Sequence, residues 1–155
     1  MDPLLAMIAL WLSFNFSLPA ISEPPKVEIV SAQDILFKRY GAFTSQAQQA
    51  LLSAARRNST TEKRREAVAV YDDNNDTIFL PEGWTGHSAA DMSVLVHEMV
   101  HHIQRKGGLR YACPAAREEL AYAAQDKWLR MFGHNLFDEF NLDEFTLKVS
   151  TSCGL

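Results

Sequence analysis

The stretch that decides the fold is SVLVHEMVHHIQRKGG, from Ser93 to Gly108. It places three of the chain's five histidines within six consecutive positions, among valine, methionine and isoleucine. A capping-box-like pair, Ser88 and Asp91, precedes the stretch, and a glycine pair closes it. Helices commonly begin at the first kind of signal and end at the second. The sequence therefore predicts one helix from Ala89 to Lys106.

This predicted helix has two faces of opposite character when its residues are spaced about 100° apart. One face is a continuous apolar arc, formed by Met92, Leu95, Val96, Met99, Val100 and Ile103. The opposite face carries His97, Glu98, His101, Gln104 and Arg105. Solvated helix faces favour lysine, glutamate and glutamine over paired histidines. The polar face is thus expected to be a site, with a merely solvated face as the alternative.

The polar face contains the sequence His97-Glu98-Met99-Val100-His101, which is an HExxH pattern. Residues four apart on a helix are neighbours, so both imidazoles can reach one ion. Glu98 can accept a proton from a metal-bound water without binding the metal itself. Catalytic zinc sites usually have three protein ligands and a water. We therefore predict His97 and His101 as metal ligands, Glu98 as the general base, and a third ligand elsewhere.

The third ligand is expected on the next helix, which is predicted from Pro114 to about Met131. That helix offers Glu118 and Glu119. Glu118 borders the small Ala121, whereas Glu119 shares a face with Asp126 and other charged residues that look solvated. A buried carboxylate needs a partner, and a metal ion is one, so Glu118 is favoured. An ordinary acid near a helix N-terminus remains the alternative for Glu118.

These residues resemble the gluzincins, the thermolysin-like branch of zinc metallopeptidases. The likeness is to small bacterial zincin-like proteins in which an HE..HH.Q helix, here His97 to Gln104, precedes an E..AY..Q..W helix, here Glu118 to Trp128. It covers about Ala67 to Arg130. The resemblance implies Zn²⁺ and a peptide or protein substrate, which could pair with an edge strand, here expected at Thr77–Leu80.

Residue roles also follow from the resemblance. It implies zinc bound by His97, His101 and Glu118, with Glu98 as general base. The chain lacks the C-terminal helical domain of large gluzincins, so the residue that would stabilise the transition state is not assigned. The candidates for that role are Tyr122, His87 and His134, although a structural role is favoured for each of them.

The remaining pattern predicts an α+β fold. A strand is predicted at Lys26–Val30, a helical region at Ser31–Arg57, and a hairpin with strands Ala67–Tyr71 and Thr77–Leu80. The aromatic-rich tail should pack on the core, with a short helix around Leu142–Lys148. The expected architecture is a minimal zincin-like fold, with a small sheet and hairpin packed on the HExxH helix and the glutamate-bearing helix.

The N-terminal segment from Leu4 to Ala20 is apolar but shorter than the roughly 20 apolar residues of a membrane-spanning helix. Small residues before the EPPK sequence are typical of a signal-peptidase site. We predict a signal peptide over residues 1–22 and a metallopeptidase domain over residues 23–155, without stable membrane insertion after cleavage. An uncleaved anchor or a buried N-terminal helix is the alternative.

The predicted signal peptide makes the expected location secreted or periplasmic. In an exported protein the two cysteines, Cys113 and Cys153, predict one disulfide, with two unrelated free thiols as the alternative. The net charge of −4, from 19 acidic and 15 basic residues, argues against nucleic acid as a partner.

The predicted function is a zinc-dependent hydrolase, most simply a peptidase. The alternative is a catalytically inactive, zinc-stabilised binding module of the cell envelope. A third hypothesis is a soluble α+β domain that binds no metal.

Overall fold

The computed structural model describes residues 2–40 and 69–154 of the 155-residue chain. Over these residues the fold is mixed α+β, as predicted, with six helices and three strands. In chain order they are α1 (Pro3–Phe16), β1 (Lys26–Val30), α2 (Ala32–Tyr40), β2 (Val70–Asp72), β3 (Thr77–Pro81), α3 (Ala89–Lys106), α4 (Pro114–Arg130), α5 (Leu136–Phe140) and α6 (Glu144–Thr151). The part of the predicted helical region Ser31–Arg57 beyond Tyr40 lies outside the described residues, as does the start of strand Ala67–Tyr71.

The sheet has the order β1-β3-β2. β2 and β3 form the predicted hairpin, with Val70 opposite Phe79, while β1 runs parallel to β3 with Lys26 opposite Thr77. The prediction that Thr77–Leu80 is an edge strand is wrong, because β1 pairs with the side of β3 that the hairpin leaves free. The four residues Thr77 to Leu80 are accordingly buried.

At the centre of the molecule, helices α3 and α4, which follow each other in the sequence, pack against each other. The bounds of both helices agree with the prediction. The Ser88 hydroxyl caps α3 by accepting the backbone N–H of Asp91 at 2.9 Å. Every residue of α3 from Ser93 to Gln104 is buried, so its polar face is covered rather than solvated. The fully buried Ala121 and Ala124 belong to α4, and such small side chains allow close helix contact.

The N-terminal helix α1 packs into the core. Its residues Leu5, Ile8 and Leu12 join the same buried cluster as the apolar face of α3. The ring of Trp11 meets Trp128 of α4 edge-on at 5.2 Å. In the described structure, the N-terminal segment is therefore a buried helix, which was the alternative to a signal peptide. Cleavage of a signal peptide stays a prediction. Within the described residues, no helix has both the length and the apolar character needed to cross a membrane.

The predicted disulfide between Cys113 and Cys153 is confirmed. It joins the N-cap position of α4 to the segment just after α6. No residue within α6 is buried, so the covalent bond is the firmest attachment described for this helix. It fixes the C-terminal part of the chain close to the start of the helix that carries Glu118.

Candidate metal centre

Three side chains converge where the polar face of α3 meets α4. The Nε2 atoms of His97 and His101, one helical turn apart, lie 3.0 and 3.3 Å from the same Oε2 atom of Glu118. The three potential ligand atoms all lie within 4.8 Å of one another. This group is able to hold a metal ion. Glu119, the other candidate, is exposed and lies outside it.

The two histidine rings are held from behind by glutamines. Nδ1 of His97 lies 2.9 Å from Oε1 of Gln125, and Nδ1 of His101 lies 3.0 Å from Oε1 of Gln104. Because an amide oxygen only accepts hydrogen bonds, both Nδ1 atoms donate. The Nε2 atoms then turn lone pairs toward the Glu118 carboxylate, an arrangement that needs a cation between them. The donor set therefore fits a metal ion.

The electrostatics of the cluster agree with this need for positive charge. Burial disfavours the ionised form of Glu118, but hydrogen bonds from His101 and His97 outweigh it and hold the pKa of Glu118 well below its usual value. Burial also disfavours the charged form of His101, yet its hydrogen bond with Glu118 and the nearby charge of Glu98 raise its pKa. Both shifts are in the direction that favours positive charge next to the Glu118 carboxylate.

Glu98 lies beside the three converging atoms rather than among them. It is only 6% exposed, and its charge acts on the neighbouring His101. The site opens to solvent on the side of Glu118, whose side chain is 34% exposed against 11% for His97. The Glu98 carboxylate is thus close to the three potential ligands but is not one of them, which is the position that a proton acceptor requires.

His102 serves a different purpose from its neighbour His101. It is completely buried, and its Nε2 lies 2.8 Å from the backbone carbonyl oxygen of Glu23. Its Nδ1 lies 3.0 Å from the hydroxyl of Tyr71. A carbonyl oxygen can only accept, so Nε2 carries the proton. His102 therefore links α3 to the N-terminal segment and the hairpin, and it is not part of the metal group.

Of the three candidates for an additional catalytic role, Tyr122 alone lies beside the cluster. Its ring centroid is 4.6 Å from that of His97. His87 is an exposed residue just before α3. His134 follows the far end of α4, where its Nδ1 lies 2.6 Å from Oε1 of Glu139. The structure therefore separates His87 and His134 from the metal group.

A cavity of about 480 Å³ lies between the end of α3 and the start of α4, and neither the three converging residues nor Glu98 lines it. Its wall includes Gln104, the residue that holds His101. Arg117 also lines it, with its guanidinium bonded to both carboxylate oxygens of Asp73 at 3.0 and 3.1 Å. The cavity thus lies one side chain away from a proposed ligand.

Sequence reasoning placed Gln104 on the metal side of α3, but it gave no role to Gln125 or Ser93. The signal for Gln125 was its position two turns after Glu118 on the same face of α4. Ser93 stands four residues before His97, on the same side of α3. Their contacts depend on how the two helices lie against each other, which the spacing alone does not fix.

Fold and site together define a small α+β domain with a two-histidine, one-glutamate group that can hold a metal ion. The chain belongs to the family described as Domain of unknown function (DUF6647), whose sequence model matches residues 1–154. No curated protein and no solved structure matches the chain significantly. The family description carries no activity, so a function must be argued from the site.

Proposed function

We propose that the protein is a zinc-dependent peptidase of the gluzincin type with a minimal zincin-like fold. One observation carries the proposal, namely the convergence of His97, His101 and Glu118 beside the buried, unligated Glu98. The order of these residues on two successive helices is the one that the HExxH pattern and the following glutamate lead us to expect.

Zinc is the metal that best suits this donor set. Two imidazole nitrogens and one carboxylate oxygen form a typical three-ligand catalytic zinc site. The Nε2 atoms of His97 and His101 lie 3.0 and 3.3 Å from Glu118 Oε2, so these three donors would hold the ion together.

The proposed chemistry divides between the metal and the chain. Zinc, when bound, supplies a Lewis acid and lowers the pKa of its water to about 7. Glu98 takes a proton from the attacking water and delivers it to the leaving amine. Gln104 and Gln125 orient the histidines. The neighbouring cavity offers space for part of a peptide or protein substrate.

Elemental analysis of protein purified without a histidine tag tests the site. We expect one zinc per chain in the wild type and in Glu98→Gln, and loss of zinc in His97→Ala. Hydrolysis of a library of internally quenched peptides tests the activity. Glu98→Gln should lose on the order of 10²–10⁴-fold in rate, whereas the exposed Glu119→Gln should match the wild type.

Two results would overturn the proposal. Full activity of Glu98→Gln would remove the proposed mechanism, and a wild-type protein that neither retains nor takes up zinc would remove the site. Zinc at one per chain together with no hydrolysis by the wild type would instead favour the second function considered next.

The second candidate is a zinc-stabilised binding module of the cell envelope without turnover. The burial of the ligands favours it, since His97 and His101 are only 8% and 7% exposed, and the Glu118 contacts join two helices. In that case Glu98→Gln should leave stability and partner binding unchanged, while His97→Ala should lower both. We favour the peptidase because zinc binding alone does not need Glu98.

We also propose that the protein works in a secreted or periplasmic setting. Its disulfide is of the kind that persists in oxidising compartments and is rare in the bacterial cytosol. The acidic balance of the chain favours a peptide or protein partner over nucleic acid.

A further inference from the structure

Two buried glutamines contact the metal group in the same way from different helices. Gln104 of α3 and Gln125 of α4 are 2% and 4% exposed. Each places its Oε1 atom about 3 Å from the Nδ1 atom of a proposed ligand histidine. Burying a glutamine is unfavourable unless its amide is satisfied, so the partners at the other end of each amide matter.

The hydrogen bond between the Gln125 NH₂ group and Ser93 determines which way the amide points. The hydroxyl of Ser93 donates to the backbone carbonyl of Ala90 at 2.7 Å. Having used its only proton there, Ser93 Oγ can only accept the hydrogen bond from Gln125 Nε2, at 3.3 Å. The amide must therefore present its NH₂ group to Ser93 and its oxygen to His97.

The Gln104 amide is oriented in the same sense by a different partner. Its Nε2 donates to the backbone carbonyl oxygen of Arg117 at 3.1 Å, and a carbonyl oxygen can only accept. Its Oε1 is thereby turned toward His101. Each chain of hydrogen bonds begins at a histidine Nδ1–H and ends at a backbone carbonyl, one on α3 and one on α4, with no ambiguity in its direction.

The two glutamines are also uncharged, which matters in a buried site. A divalent ion with Glu118 and Glu98 has formal charges of +2, −1 and −1, which sum to zero with neutral histidines. A carboxylate in place of either glutamine would leave a net negative charge in a buried cluster, which is unfavourable. It would also make the imidazole more basic. A neutral amide orients the ring without either effect.

We propose that Gln104 and Gln125 are positioning residues that fix both ligand histidines in the Nδ1–H tautomer before the metal ion binds. This inference rests on the proposed metal site but does not require hydrolysis. The contrast with His102 belongs to the same proposal. Its Nε2 donates to the Glu23 carbonyl, so in this neighbouring imidazole it is Nε2 whose proton is fixed.

The direct test is ¹⁵N NMR of the imidazole nitrogens in metal-free, full-length wild type, at a pH where the rings are neutral. We expect protonated Nδ1 in His97 and His101 and protonated Nε2 in His102. Protonated Nε2 in either proposed ligand would overturn the inference. This measurement needs neither zinc nor a substrate, so its result stands apart from success or failure of the proposed peptidase.

Variants provide a second test. Gln125→Met and Gln104→Met keep side-chain length but remove the acceptor, while Gln33→Met on the exposed part of α2 is the control. We expect mixed tautomers at the affected histidine and zinc affinity, measured by chelator competition, lower by about 10–100-fold. Gln125→Glu should restore the Nδ1–H tautomer of His97. Methionine variants that keep wild-type tautomers and zinc affinity would contradict the proposal.

Discussion

His97, His101 and His102 show how one turn of helix can direct similar residues to different tasks. The first two face α4, where Glu118 lies within 3.3 Å, and the third faces the N-terminal segment. Helix spacing accounts for this division, because a spacing of four residues places side chains on one face and a spacing of five does not. It could not predict the glutamine contacts, since these need the mutual placement of two helices.

The pKa shifts of Glu118 and His101 predict how stability depends on pH in the metal-free protein. A lowered carboxyl pKa stabilises the fold above the ordinary value of 4.5, and this contribution is lost as pH falls through the lower folded value. A raised histidine pKa stabilises the fold below 6.5, and this contribution is lost as pH rises through the higher folded value.

Both contributions are therefore present together between about pH 4.5 and 6.5. We expect the contribution of Glu118 and His101 to the stability of the metal-free protein to be largest in that window. Zinc should extend this stabilisation to higher pH, because it takes the place of the proton on His101. Urea unfolding at several pH values, with chelator or with zinc, measures this. Glu118→Gln should flatten the profile and Glu119→Gln should not. An unchanged profile in Glu118→Gln would refute the prediction.

Helices α3 and α4 were predictable at the scale of elements because their ends carry local signals. Ser88 caps one helix, and Pro114 occupies the first turn of the other. The position of β3 was not predictable in this way. Hairpin pairing with β2 is local, whereas β1 pairs with β3 across more than 40 residues of intervening chain. The alternating pattern of a strand does not state which neighbours it will have.

The packing of α1 predicts unequal effects for two substitutions on that helix. Leu12 is fully buried and Phe14 is 89% exposed. In protein that contains residues 1–22, Leu12→Ala should cost about 2–5 kcal/mol of unfolding free energy, and Phe14→Ala should stay within about 0.5 kcal/mol of wild type. Chemical denaturation gives both values. Equal stability of the two variants would show that α1 does not belong to the folded core.

At the scale of the whole molecule, the described chain is a central helix pair with the sheet, α1 and the C-terminal helices attached to it. The core cluster draws residues from α1, the hairpin, α3 and α4. The sequence predicted the α+β class and the packing of the tail in general terms. It did not predict that the polar face of α3 would be as buried as the apolar one. The periodic pattern of the sequence shows which residues of a helix are polar, but not which other elements cover them.

The Cys113–Cys153 bond predicts a loss of stability on reduction. It closes a loop with a sequence separation of 40 residues, which in typical proteins corresponds to about 2–4 kcal/mol. A Cys113→Ser/Cys153→Ser variant should unfold at lower denaturant concentration, yet retain one zinc per chain, because Glu118 is held by helix packing. Wild-type stability in this variant, or loss of its zinc, would contradict the prediction.

The contact between His102 and Glu23 has a consequence for the timing of maturation. The carbonyl of Glu23 is bonded to His102, and its side chain is bonded to Lys106, so the peptide next to the predicted cleavage point is fastened to α3. A processing enzyme needs that peptide extended and detached. If residues 1–22 are a signal peptide, their removal would have to come before folding, and a chain that folds first would keep its N-terminal helix.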